Sequence, residues 1–263
     1  MQTAITATLV VAIGMAATVT YLSPWLWRRY RVRCIRREVV KKRFLALTYD
    51  DGPSAELTPQ LLDLLQRRGA RATFFMLGWH AEEYPDIVDR VIREGHDVGC
   101  HSDQHINAWK ASPWKAIGDI DAGYKRLSRW IGPNAMFRPP NGKLTIFTYL
   151  WIRRRAPIVW WTIDSGDTRS ALPRASEVAE RVRRARGGIV LMHDLDRTQA
   201  RNDFVIEVTT ALLDLAEREG LQIVPERSCT NEELEKTGED FGGSLRGRPL
   251  GAVASNGPRI RRL

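Results

Sequence analysis

The chain has 263 residues, 43% hydrophobic and 27% charged, which is enough for one sizeable domain with its own core and excludes a disordered chain. The formal net charge is +9, but residues 28–43 carry nine Lys or Arg against one acid, Glu38, so the remainder is close to neutral. That distribution argues against a basic domain that tracks nucleic acid and suits a strip beside anionic membrane headgroups.

From Gln2 to Trp27 no residue is charged, a run long enough to cross a bilayer as a helix. Tyr21, Trp25, Trp27 and Tyr30 cluster at its end, where amphipathic rings favour the membrane interface. No basic segment precedes the run and no clean small-x-small site precedes the Arg block, so residues 1–27 read as an uncleaved anchor rather than a signal peptide. Residues 28–43 form a basic juxtamembrane strip. The positive-inside rule then predicts a single-pass protein whose following domain faces the cytoplasm; an extracytoplasmic domain is the alternative.

Phe44 to Tyr49 is a short apolar run closed by Asp50-Asp51-Gly52-Pro53, a strand ending in a turn. Leu57, Leu61, Leu62, Leu64 and Leu65 recur at helical spacing, and Gly69 stops that helix. Strands follow at Ala72–Leu77 and His96–His101, with a helix over Pro85–Glu94 between them. A long helix is predicted over Pro113–Ile131. Further strands are predicted at Ala135–Phe137, Ile158–Ile163, Ile189–Met192 and Gln222–Val224, and helices at Ser176–Arg186 and Asp203–Glu219. This alternation predicts an α/β fold with a parallel sheet covered by helices. A barrel is favoured over an open sheet, because the chemically loaded residues recur after the C-terminal ends of many strands. The catalytic domain is therefore placed at residues 44–226. Residues 227–263, rich in Gly, Ser and Pro, are expected to form a flexible tail.

Two imidazoles, His101 and His105, stand four apart, a spacing that puts them on one face of a helical turn. Two His and one carboxylate make the open ligand set of a catalytic metal site, and Asp50-Asp51 supplies carboxylates at the end of an earlier strand. Neighbouring residues on a regular strand point to opposite faces, so both can reach one site only if the strand ends there.

Thr48-Tyr49-Asp50-Asp51-Gly52-Pro53 resembles the first motif of the polysaccharide deacetylases, the NodB-homology or carbohydrate esterase family 4 domain. His101-Ser102-Asp103-Gln104-His105, Arg138-Pro139-Pro140-Asn141-Gly142, Asp164-Ser165-Gly166-Asp167 and Leu191-Met192-His193 are similar to the second to fifth, in the family's order. The resemblance implies a distorted (β/α) barrel of that type and hydrolysis of an N-acetyl group on an amino sugar. It implies that Asp51, His101 and His105 hold one divalent metal ion, usually zinc. Asp50 would be the general base, oriented by Arg138, and His193 the general acid, paired with Asp167. The backbone N–H near Asn141 would help bind the oxyanion, and Leu191 would line the acetyl pocket.

These residue types suit amide hydrolysis, which needs an activated water, a polarised carbonyl and a protonated leaving amine. The expected substrate is an acetylated amino sugar in a polysaccharide or a lipid-linked saccharide. Two competing readings are a phosphoesterase-like metallohydrolase on the same barrel and an inactive sugar-binding membrane protein. Retention of Asp50, Asp51, His101, His105 and His193 argues against the second. Two positions depart from the family pattern. Thr168 stands where a Trp usually forms a pocket wall, and Asn141 stands where Tyr is frequent.

Overall fold

A computed structural model describes residues 5, 6, 12 and 14–225 of the chain. The expected tail at 227–263, and much of the apolar run before residue 14, lie outside the described residues. No helix among the described residues is long and apolar enough to cross a membrane.

Helix α1 (Ser23–Lys42) carries the basic strip and continues a π-helical turn, Thr18–Leu22. Its basic side chains are interleaved with an inner face at helical spacing. Pro24 and Val39 are buried, and Trp27, Val32 and Ile35 pack against the hydrophobic core. Trp27, half-buried, lies 4.8 Å from the Tyr149 ring and packs against the core. Arg43 ends the helix in the left-handed region, its N–H closing on Val39 O.

Strand β1 (Phe44–Asp50), buried along its whole length, is the centre of the fold. Helix α2 (Leu57–Arg67) leads to β2 (Thr73–Met76), and helices α3 (Gly78–Glu83) and α4 (Pro85–Arg93) lead to β3 (Asp97–Cys100). Then come α5 (Pro113–Leu127), α6 (Ile146–Ile152), β4 (Ile163–Asp164), α7 (Ala175–Ala185), β5 (Gly188–His193), α8 (Gln199–Glu219) and β6 (Gln222–Ile223). The sheet order is β3-β2-β1-β5-β4 with β6 joined to the start of β1, and every pairing is parallel.

Beyond β3 the path continues through single bridges, Cys100 to Phe137 and Phe137 to Ile158. The chain from Ile158 then returns to β5, where Thr162 N–H donates to Ile189 O. The parallel segments thus follow one another around a distorted ring.

Three predicted elements depart most from their expected lengths. Ala135–Phe137 and Ile158–Ile163 reduce to bridges and the two-residue β4. Prolines flank both segments (Pro139, Pro140 and Pro157) and cannot donate to a ladder. Helix α5 stops at Leu127 rather than Ile131, and there Ser128 Oγ–H competes for Lys125 O at 2.7 Å.

The ring gathers its polar residues at one end. Asp50, His101, Arg138, Asp167 and His193 all follow the C-terminal ends of parallel segments, while the opposite end holds Phe44, Ala46 and Ile189 packed on Val39.

Candidate functional site

Asp50 ends β1 and is almost wholly buried, at 2% exposed. Arg138, 0% exposed, donates from Nη1 to Asp50 Oδ1 at 2.8 Å and to Thr48 Oγ1 at 2.7 Å. Its guanidinium lies 4.0 Å over the Phe75 ring. Thr48 and Asp50 are two apart on β1, so one cation reaches both from the same face. Burial pushes the Asp50 carboxyl above its ordinary range, and the Arg138 charge opposes that shift.

Asp51 leaves the strand in the left-handed region, at φ +73°, and its carboxylate turns toward His101 and His105. Its Oδ1 lies 3.4 Å from Nε2 of each ring. One ligand atom from each of the three residues fits within a 4.8 Å span. His101 Nδ1–H donates to Arg138 O at 2.7 Å, which leaves Nε2 to face the carboxylate. Burial pushes the His101 pKa down to about 3, so the ring is neutral, the form that ligates a metal. Asp51 Oδ1 is buried and lacks a hydrogen-bond partner. Two imidazole nitrogens around an unsatisfied carboxylate oxygen fit a divalent cation.

The predicted helical turn from His101 to His105 is instead a loop. Ser102 (φ +71°) and His105 (φ +56°) are both left-handed, and this backbone path brings the two rings together, with centroids 5.1 Å apart. With Asp51 and Asn141 (φ +56°), four of the six left-handed non-glycine residues among those described lie in the motif loops.

On the far side of Asp50, His193 ends β5. Its Nδ1 is 3.0 Å from Asp167 Oδ2, which also accepts the His193 backbone N–H at 2.9 Å. Ser165 Oγ–H and an Arg201 guanidinium hold Asp167 from behind. Burial works against an imidazolium here, but the Asp167 hydrogen bond and charge outweigh it and raise His193 to about 9. Leu191, two residues back on β5, shares the His193 face and is buried.

Asn141 is exposed in a 3-10 turn, Pro140–Gly142, next to Arg138. Thr168 is exposed. Trp160 is buried in the core, and Trp161 is half-buried.

Two supports were not read from the sequence. His80, on α3, bonds through Nδ1 to Asp51 O at 2.7 Å and fixes the left-handed turn. Asp194 accepts Gly52 N–H at 3.1 Å and Thr58 Oγ1–H at 2.8 Å, fastening the first loop to β5. A Cβ on Gly52 would sit 2.1 Å from the Asp194 carboxylate, so only glycine fits. The lone His80, on a helix lacking a recognisable pattern, gives no sequence signal.

Residues 37–154 match the family described as polysaccharide deacetylase. A Bacillus cereus peptidoglycan-N-acetylglucosamine deacetylase is 36% identical over 165 residues, spanning 60% of this chain and 76% of that protein. The chain belongs to the polysaccharide deacetylase family. This deacetylase chain is also 30% identical over 186 residues to the peptidoglycan-N-acetylmuramic acid deacetylase PdaC of Bacillus subtilis, of which it spans 38%. Among solved structures, a peptidoglycan N-acetylglucosamine deacetylase in complex with 4-naphthalen-1-yl-N-oxidanyl-benzamide superposes with a TM-score of 0.66 at 28% identity, covering 73% of this chain and 90% of that one. A family 4 carbohydrate esterase from Streptomyces lividans in complex with acetate gives 0.59 at 26% identity, covering 68% and 90%. Like its relatives the chain is a hydrolase, and the parallel α/β fold agrees with theirs.

If His193 is the group that protonates a leaving amine, activity should fall as pH rises through about 9, the raised value of that group. Asp167→Asn removes the charge that raises it. The alkaline limb of the pH–rate profile is then expected to move to lower pH, with the metal content unchanged. A limb that stays in place would remove His193–Asp167 from the proton transfer.

Proposed function

We propose that the chain removes the acetyl group from an N-acetylglucosamine-type residue of peptidoglycan or of a lipid-linked saccharide, using one divalent ion, zinc by preference, held by Asp51, His101 and His105. The observation that carries this reading is the unpartnered, buried Asp51 Oδ1 between two imidazole nitrogens, flanked by a carboxylate on one side and a raised-pKa imidazole on the other. The ion, when bound, would polarise the acetamide carbonyl and make a water molecule more acidic.

The chain's own residues perform the proton transfers. Asp50, held by Arg138, takes the proton of the attacking water as its oxygen bonds to the carbonyl carbon. The N–H of the Asn141 turn supports the developing oxyanion. His193, charged through Asp167, delivers its proton to the nitrogen as the C–N bond breaks, giving acetate and a free amine. Leu191, on the His193 face, receives the acetyl methyl. Product analysis tests this reading against a phosphoesterase: acetate and amine support it, and release of phosphate alone overturns it.

A tether within residues 1–27 keeps the domain at a membrane, and the charge asymmetry supports the cytoplasmic side, where a lipid-linked acetylated amino sugar is within reach. A C-terminal alkaline phosphatase fusion, active only when exported, should be well expressed and silent. Strong phosphatase activity would move the domain, and its substrate, to the envelope.

A further inference from the structure

The basic helix α1 reaches the motif loops through Arg28. Its guanidinium lies 4.5 Å from the Trp161 ring centroid and 5.0 Å from that of Trp160, and Nη1 donates to Gly142 O at 3.1 Å. Gly142 follows Asn141 and has φ +60°. A Cβ there would lie 2.6 Å from Trp161 and 2.8 Å from Arg28 Nη1, so loop, ring and guanidinium are already in closest packing. Arg138 lies 5.8 Å from the centroid of the same Trp161 ring, so this one indole stands within cation–π range of both the Asp50 partner and the helix α1 cation.

Neighbouring contacts hold the same segment. Trp27 packs at 4.8 Å on Tyr149 of α6, which begins just after the loop. Tyr21 meets Trp109 edge-on at 5.8 Å, and Trp109 Nε1–H donates to Leu144 O at 2.9 Å. Arg28 lies on helix α1, before residue 37, where the family match begins.

We propose that Arg28 is a positioning residue for the deacetylation, holding the 139–144 loop and, through Trp161, Arg138 in the geometry that turnover needs. The N-terminal helix would then be part of the catalytic unit as well as a tether. The proposal rests on the reading that the Asn141 turn and the Arg138–Asp50 pair serve the reaction.

The test uses the full chain in detergent, with Arg28→Gln, Arg28→Lys and Asp50→Asn. Amide exchange over 139–144 (read at Asn141 to Leu144, since Pro139 and Pro140 carry no N–H), zinc content, thermal melting and acetate release from penta-N-acetylchitopentaose are measured. In Arg28→Gln, exchange at 139–144 should rise at least about tenfold and kcat fall about 10–100-fold, the scale of a small misplacement of reacting groups, with KM nearly unchanged and zinc retained. Arg28→Lys, which can still donate to Gly142 O, should recover part of both. Unchanged exchange at 139–144 in Arg28→Gln overturns the proposal whatever the activity, as does a kcat loss fully matched by zinc loss or by melting below the assay temperature. Full activity in Asp50→Asn instead overturns the underlying site reading, which separates the two failures.

Discussion

Asp50→Asn is expected to lower acetate release by about 10²–10⁴-fold, the range for loss of a general base, while zinc stays bound at wild-type occupancy. The substitution keeps the side-chain shape and one oxygen for Arg138 Nη1, which sits 2.8 Å away in the native pair. It removes the charge that accepts a proton from water. Asp51→Asn, by contrast, alters the unpartnered oxygen that lies 3.4 Å from both imidazole nitrogens, so it should release the ion as well as activity. The two adjacent carboxylates therefore separate in a metal assay. Equal zinc loss in both variants would show that Asp50 is a ligand and that the roles were assigned wrongly.

His105→Ala should reduce zinc affinity by more than about 10²-fold, beyond the 10–100-fold expected for an outer partner of a ligand. His105 is the ligand to remove first, because its side chain is 33% exposed whereas that of His101 is 2% exposed and bonds Arg138 O. Deleting His101 would unsettle the Asp50 partner too, mixing two effects. The His105 variant should melt close to the wild-type protein stripped of metal, and its activity should return only at high added zinc. Wild-type zinc content in His105→Ala would contradict the three-residue cluster.

The chemistry was more legible in the sequence than the architecture around it. Strand β1 could be read because a fully buried parallel strand is a continuous apolar run, and Phe44–Tyr49 is one. Helix α2 was marked by its leucines at helical spacing and by Gly69. Sequence also paired Arg138 with Asp50 and Asp167 with His193 through family resemblance, and the side chains lie at 2.8 and 3.0 Å. The His101–His105 backbone was misread because spacing four suggests a helical turn. A loop with two left-handed residues, Ser102 and His105, satisfies the same spacing, and a left-handed Ser carries no sequence mark.

Helix α1 was hidden for a different reason. Nine basic residues dominate 28–43, and their charge argues for a membrane surface, yet Trp27, Val32, Ile35 and Val39 form an inward stripe beneath them. Long Arg stems can lie along a packed face and still bring their heads to polar partners. Arg28, Arg36 and Arg43 do so, donating to Gly142 O, Thr162 O and Glu219 O. Helix α6 escaped notice because Ile146-Phe147-Thr148-Tyr149 has strand-like composition. A reciprocal cap between Thr145 and Thr148 sets its helical start, overriding propensity.

The most direct test is the stoichiometry of products from an acetylated amino-sugar panel of chito-oligosaccharides, peptidoglycan fragments and polyprenyl-linked saccharides. The purified full chain is assayed as isolated, after exhaustive chelation, and after zinc is restored. Metal-dependent N-deacetylation at the Asp51, His101 and His105 cluster predicts one acetate and one free amine per turnover on at least one member of the panel, loss on chelation, and recovery with zinc. Full acetate release after complete metal removal would contradict it.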